Sequence, residues 1–341
     1  MRKVNIRELA QELKISVATV SKALRDSHEI SEATKKKVVE MAAKLNYTPN
    51  PYASSLRKKN SKTIGVILPE VADSFFSLAI NGIQSVAELK GYHVLIYLSH
   101  DKYANEKTIV DDCSSGRVDG VLISISGETC NSDHISKLQN ENIPIVFFDR
   151  EFEGFDTARV ITNDYESGYL SATHLIERGV KRPSFLSSSS CLPICKKRVD
   201  GFADALEAAG IKKSKQYDPV IYCDGNREQN YQQIKKLIKG RHAPDGIVAS
   251  VERIAMQVYL ASHELGIIIP DQLKVIAFST LETAPILNPS MTTITQPAFE
   301  IGKMAAEILF KGIEKTNFDL KHELVIIPSM LIERASTEKS S

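Results

Sequence analysis

The sequence predicts two fold classes in one chain: an N-terminal all-α helix-turn-helix domain, then an α/β core of two doubly wound subdomains. Three observations carry this. Apolar residues recur with helical period over the first 45 positions. From Thr63 onward, short β-branched runs alternate with helix-like segments. Charge is also segregated: residues 1–61 hold 13 Lys/Arg against 6 Asp/Glu, whereas the remainder holds 30 against 36. A chain of 341 residues is long for one core, which again favours several domains.

Ile6, Leu9, Ala10 and Leu13 form one apolar stripe on a first short helix. After a break at Lys14-Ile15, Ser16 is placed to N-cap a second helix whose inner face is Val20 and Leu24. Two short helices so joined describe a helix-turn-helix, the second helix of which can lie in a DNA major groove. On these residues alone an ordinary helical hairpin in a core fits equally well. Ser31 caps a third helix, Glu32–Leu45, with Val38, Met41, Ala42 and Leu45 inward, and Asn46 is suited to a left-handed stop. Asn50-Pro51 then starts a helix of two turns at most, too short to be stable without a partner. Arg57–Lys62 is a basic linker. The expected organisation is a reader over 1–49, a hinge helix and linker over 50–61, a core over 62–335 and a tail over 336–341.

In the core, strands are expected at Thr63–Leu68, His93–Leu98, Gly120–Ile125 and Ile143–Phe148, separated by helices at Phe75–Leu89, Glu106–Ser115 and His134–Asn140. A second set follows. Its strands are Pro183–Leu186, Val220–Tyr222, Gly246–Ala249, Lys274–Phe278, Thr292–Thr295 and Leu324–Ile327; its helices are Ser167–Glu177, Lys196–Ala209, Gln229–Ile238, Ile254–Leu265 and Ala298–Gly312. These are too many strands for one compact sheet. The division expected is 62–161 with 293–322 in one subdomain, and 162–292 with 323–335 in the other. Two such sheets facing each other make a cleft beyond their strand ends, where open α/β sheets bind ligands, and closing it is a hinge motion.

Composition narrows the classes. No apolar run reaches membrane-spanning length, and the N-terminus lacks the apolar core of a secretory signal, so a cytoplasmic protein is expected. Five cysteines are sparse and odd in number, and Cys191 and Cys195 have no second Cys/His pair at zinc spacing, so neither metal nor cofactor is expected. A Gly-rich phosphate loop, a Gly-x-Ser-x-Gly elbow and a His-Glu-x-x-His helix are all lacking, which argues against an enzyme. A solute-binding component built on the core alone is the other alternative; the missing signal and the basic N-terminal module count against it.

Taken in order, the motifs resemble the LacI/GalR family of bacterial transcription regulators across essentially the whole chain. They are Ile15–Lys22, Asn46–Asn50, Ala53–Leu56, Thr63–Pro69, Phe147–Arg150, Arg198–Phe202 and Thr292–Pro297. The resemblance implies a homodimer on a near-palindromic DNA operator, with a small-molecule effector in a periplasmic-binding-protein-like core. It assigns base contacts to Val17, Ala18 and Lys22. Val17 and Ala18 offer only apolar contact, suited to a thymine methyl, and Lys22 can donate to guanine, though without the fork of an arginine. Phosphate contacts fall on Ser16, Thr19, Ser21, Arg25, Thr34 and Tyr47. Leu56, with Ala53 beside it, corresponds to a minor-groove wedge. Lys14 stands where the family has glycine; a left-handed lysine there costs on the order of 1 kcal/mol.

For the cleft, the resemblance points to Phe75 and Phe76 as stacking rings and to Asp149, Arg150, Arg198, Ser279 and Gln296 as polar contacts; Asp164 matches less specifically. Arg198 is alternatively a bridge between subdomains through a carboxylate. Val251 and Ser279 depart from the residues of sugar-responsive relatives, so a free sugar held in the usual way is in doubt. The effector class stays open between a sugar, a sugar derivative and a phosphorylated metabolite, the last suiting Arg150 and Arg198. The family's leucine-heptad tail is not seen after Leu331, which favours a dimer. Effector occupancy would change the angle between subdomains, so that the Tyr52–Arg57 segments form or melt as hinge helices.

Overall fold

A computed structural model of the chain describes residues 4–24, 26–47, 61–214, 217–315 and 319–338. It divides into two compact units, Met1–Lys59 and Asn60–Ser341.

The first unit is built on capping. Helix α1 (Ile6–Glu12) opens with a reciprocal box in which Asn5 accepts from the backbone of Glu8 and the Glu8 side chain accepts from that of Asn5. Ser16 caps α2 (Val17–Ala23) and Ser31 caps α3 (Glu32–Lys44). Lys14 and Asn46 sit in the left-handed region, at φ 54° and 49°, as the breaks after the first and third helices require. Leu9, Ala10, Val20, Ala23, Val38 and Ala42 form the buried centre.

In the second unit β1 (Thr63–Leu68), α4 (Ser74–Leu89), β2 (His93–Leu98), α5 (Tyr103–Asp112), β3 (Gly120–Ile123), α6 (Asp133–Asn140), β4 (Ile145–Phe148) and β5 (Ala158–Ile161) come first. They are followed by α7 (Asp164–Glu177), β6 (Pro183–Ser187), α8 (Pro193–Ala208), β7 (Val220–Tyr222), α9 (Arg227–Lys239), β8 (Gly246–Ala249), α10 (Glu252–Leu265) and β9 (Lys274–Phe278). Then come β10 (Thr292–Thr295), α11 (Ala298–Glu314), β11 (Leu324–Ile326) and β12 (Met330–Ile332).

The first sheet runs β11-β5-β4-β3-β1-β2 and the second β12-β10-β9-β8-β6-β7. Pairing is parallel throughout, as in Val66↔Ile96 and Phe185↔Val220, except that β10 meets β12 antiparallel. The doubly wound order 2-1-3-4-5 thus occurs twice, and each copy has its switch point beside its first strand.

Two assignments differ from the sequence reading. β10 pairs with β9 and so belongs to the second sheet, while β11 pairs with β5 and belongs to the first. The return crossings therefore lie at 296–297 and 327–329 rather than at 292–293 and 322–323. Strand choice of partner is a non-local decision that an apolar run does not encode. Two strands went unread: β5, interrupted by Arg159, and the three-residue β12.

Each half of this unit is tightened by a helix pair packed backbone to backbone. A Cβ on Gly82 of α4 would lie 2.1 Å from the Phe299 carbonyl oxygen of α11, and one on Gly302 would lie 2.0 Å from that of Ala79. In the other half, a Cβ on Gly168 of α7 would meet the Arg198 carbonyl oxygen at 2.0 Å, and one on Gly201 of α8 that of Tyr165 at 2.0 Å. Substituting Gly168→Ala should therefore force the helices apart and destabilise the full-length protein by about 1–3 kcal/mol or more, read as a lowered urea midpoint.

Candidate functional site

Each unit carries one candidate site. In the first, the N-terminal turn of α2 faces outward. Ser16 Oγ accepts the Thr19 N–H at 3.0 Å and lies 2.8 Å from Thr19 Oγ1. Val20 and Ala23 anchor the helix to the core, leaving Val17 39% exposed and Ala18 exposed. Val17 is thus not a core residue. Lys22, one turn beyond Ala18 on the same face, is ion-paired to Glu29. Ser21 is half-buried behind this turn. Thr34 pairs its hydroxyl with Ser31 at 2.9 Å, and Tyr47 packs against the core, where burial raises its phenol pKa. Arg25, Ala53, Leu56 and the expected hinge helix lie outside the described residues.

In the second unit all seven residues expected at the cleft converge on one cavity: Phe75, Phe76, Asp149, Arg150, Arg198, Ser279 and Gln296. Its walls are the carboxyl ends of β1, β4, β6, β8, β9 and β10. It encloses about 50 Å³, room for a few waters. Phe75 and Phe76 meet edge to face at 5.2 Å, both buried in the first core as well as facing the cavity. The Arg150 guanidinium stands 6.0 Å from the centre of the Phe76 ring and donates to Asp101 Oδ1 at 2.5 Å.

Asp149 follows β4 with φ 61°, a strained left-handed residue at the strand end. Among the described residues its side chain accepts only a long 3.4 Å contact from Ser124 Oγ, and its carboxylate lies 3.9 Å from Arg150 Nε. Desolvation pushes its pKa up to about 6; Arg150 and Arg198 pull the other way without compensating, and Asp164 and Asp73 add to the rise. Asp73, the N-cap of α4, is likewise raised, first by burial and then by the charge of Glu252.

Arg198 donates from Nε to Asp164 Oδ1 at 2.8 Å and from Nη1 to the Ser250 carbonyl oxygen at 3.1 Å, with its guanidinium 4.2 Å from the Phe278 ring centre. Its carboxylate partner begins α7, in the same half of the core, so the pair does not bridge the subdomains. Arg198 Nη2 and Gln296 Nε2 are buried donors with no hydrogen-bond partner among the described residues.

The guanidiniums that suggested a phosphorylated ligand are therefore already countered, by Asp101 and Asp164. Around them stand Asp73, Asp149 and a residue the sequence reading passed over as a site, Glu252, whose carboxylate accepts the Ser279 hydroxyl at 3.0 Å. The signal was a carboxylate directly after Val251 at a strand end. Asp101 had no such signal, because only folding brings it to Arg150.

Comparison with known proteins matches each of the two units to a family. Residues 5–50 match the family described as bacterial regulatory proteins, lacI family, and residues 61–335 match the periplasmic binding proteins and sugar binding domain of LacI family. Catabolite control protein A of Priestia megaterium is 27% identical over 337 residues, covering 98% of this chain and 99% of its own. The PurR repressor of Photobacterium profundum is 28% identical, covering 95% and 98%. Among solved structures, the lac repressor dimer bound to operator and the anti-inducer ONPF shares the fold at TM-score 0.82 and 22% identity, covering 98% of this chain and 99% of that one. The regulator CelR in complex with cellobiose does so at 0.72 and 19%, covering 98% and 100%.

Because the folded pKa of Asp149 lies above the ordinary carboxylate value, the folded state holds an extra proton between about pH 4 and pH 6, and stability from this group falls as pH rises through that window. Asp149→Asn should therefore exceed wild type in unfolding free energy by up to about 3 kcal/mol at pH 7, the difference vanishing near pH 4. Urea unfolding of both proteins across that range measures it.

Proposed function

The chain belongs to the lacI family of bacterial regulatory proteins and is a DNA-binding transcription regulator; from that premise we propose which residues read the operator and what class of effector the cleft takes. The reader is the first turn of α2. Val17 and Ala18 make apolar contact with bases and Lys22 donates to one, while Ser16, Thr19, Ser21, Thr34 and Tyr47 hold phosphates. Support comes from the exposure of Val17 and Ala18 on a helix anchored by Val20 and Ala23. Lys22 must leave Glu29 to reach a base, and as a single ammonium it gives a weaker preference than a guanidinium fork. Repressor function on a near-palindromic operator is in keeping with the names of the relatives and with the lac repressor seen as an operator-bound dimer. The protein acts in the cytoplasm and catalyses no reaction.

The effector is a small, uncharged, hydroxylated molecule of the sugar class rather than a phosphorylated one. The single observation that carries this is the charge arrangement of the cleft: each guanidinium has its own carboxylate, further carboxylates stand beside them, and the open donors are Arg198 Nη2 and Gln296 Nε2. Hydroxyl oxygens suit those donors, and hydroxyl hydrogens suit Asp149. A phosphate dianion would meet Asp73 and Asp149. The cellobiose and ribose bound by two relatives of the same fold are molecules of the proposed kind.

Two measurements test these readings. Selection from a randomised duplex library should return an inverted repeat. Lys22→Ala should weaken binding by about 1–3 kcal/mol and relax one base pair in each half-site. Recovery of unrelated sequences would refute the reader. In a thermal-shift comparison, neutral sugars should raise the melting temperature of the full-length protein and their phosphate esters should not; stabilisation by the esters alone would overturn the effector class.

A further inference from the structure

Glu252 is the first residue of α10, on the second-sheet wall of the cleft. A first-turn carboxylate ordinarily stabilises the N-terminus of its own helix. Here it reaches the other wall. Its Oε1 accepts the backbone N–H of Ser74 at 3.1 Å, and its Oε2 accepts the Ser74 hydroxyl at 2.6 Å as well as that of Ser279. Thr280 Oγ1 lies 2.6 Å from Ser74 Oγ, completing a chain of hydroxyls across the gap.

Ser74 opens α4, a helix of 16 residues. The cap Asp73 satisfies the N–H of Phe75 and leaves that of Ser74 unfilled by its own helix, so this is an attractive end for an anion. The group that fills it is a side chain of the opposite wall. Ion pairs among the described residues also cross the cleft: exposed Arg253 to Glu70 at 3.4 Å, and half-buried Lys197 to buried Glu151 at 2.9 Å and to Glu153 at 3.3 Å. The Asp73 carboxylate stands close enough to feel the like charge of Glu252, so the contact carries a repulsive neighbour on the wall it joins.

We propose that Glu252 is a tethered occupant of the effector cleft, a latch whose carboxylate joins the first turn of α4 to the opposite wall and keeps the cleft closed in the absence of effector. Entry of an effector then requires release of Glu252. The molecule that replaces it must offer an acceptor to Ser74 and Ser279. This goes beyond the effector class proposed above and needs neither that class nor DNA binding to hold.

Hydrogen–deuterium exchange on the full-length protein, free of effector and DNA, tests the latch. In Glu252→Ala, exchange should accelerate about tenfold or more over residues 69–76, and severalfold over residues 124–129 and 188–195, walls that do not touch Glu252. Ser74→Ala removes a donor from the other side and should loosen the same remote walls. Glu252→Gln, neutral but still an acceptor, should fall between wild type and Glu252→Ala. If both Glu252→Gln and Ser74→Ala leave residues 124–129 and 188–195 unchanged within about twofold, Glu252 is only a local cap and the latch is wrong, even should Glu252→Ala fail to fold.

Discussion

Arg198 is only 4% exposed, and the second half of the core is arranged so that a charge can stay there. Its guanidinium reaches Asp164 at the start of α7, the carbonyl of Ser250 at the end of β8 and the face of Phe278 at the end of β9. Burying two ions is costly, and only near-ideal geometry offsets the desolvation; losing one partner of such a pair costs about 3–5 kcal/mol. The geometry comes from Gly168 and Gly201, which let the backbones of α7 and α8 touch. Packing thus fixes the ion pair, and the ion pair fixes three cleft-lining segments relative to one another. The leftover Nη2 hydrogens then find no acceptor among the described residues.

The same winding order occurs in both halves, so both sheets direct their carboxyl strand ends into one space. That space gathers Asp73, Asp149 and Arg150, with Glu252 beside it, from three different turns. Each is tolerable on its own wall. Burial first, and then neighbouring carboxylates, raise Asp73 and Asp149 against the pull of Arg150. A guanidinium seen in a sequence suggests affinity for anions; the same group beside Asp101 or Asp164 has spent that affinity within the protein.

The DNA-reading unit is simpler, and more of it is legible. Its helices are short, so their limits are set by local chemistry: a serine oxygen on an orphan N–H, a left-handed residue where the chain must turn, an apolar stripe at helical spacing. Lys14 adopts the left-handed turn with no glycine to ease it. What the residues could not tell was the state of Lys22, since its pairing with Glu29 spans the turn between two helices.

By itself the sequence determined the nature of every element but β5 and β12, the caps, the basic N-terminal module, the two-sheet core and seven residues that share the cleft, because all of these follow from local periodicity or from motifs that travel with a known family. Only the tertiary structure decided which sheet β10 and β11 join, which carboxylate neutralises which guanidinium, and that Glu252 crosses from one wall to the other. The reason is the same in each case. Strand pairing and buried charge pairing join residues far apart in the chain, such as Ser74 with Glu252 or Val160 with Val325. Their energies depend on distance and burial, neither of which is written in local pattern.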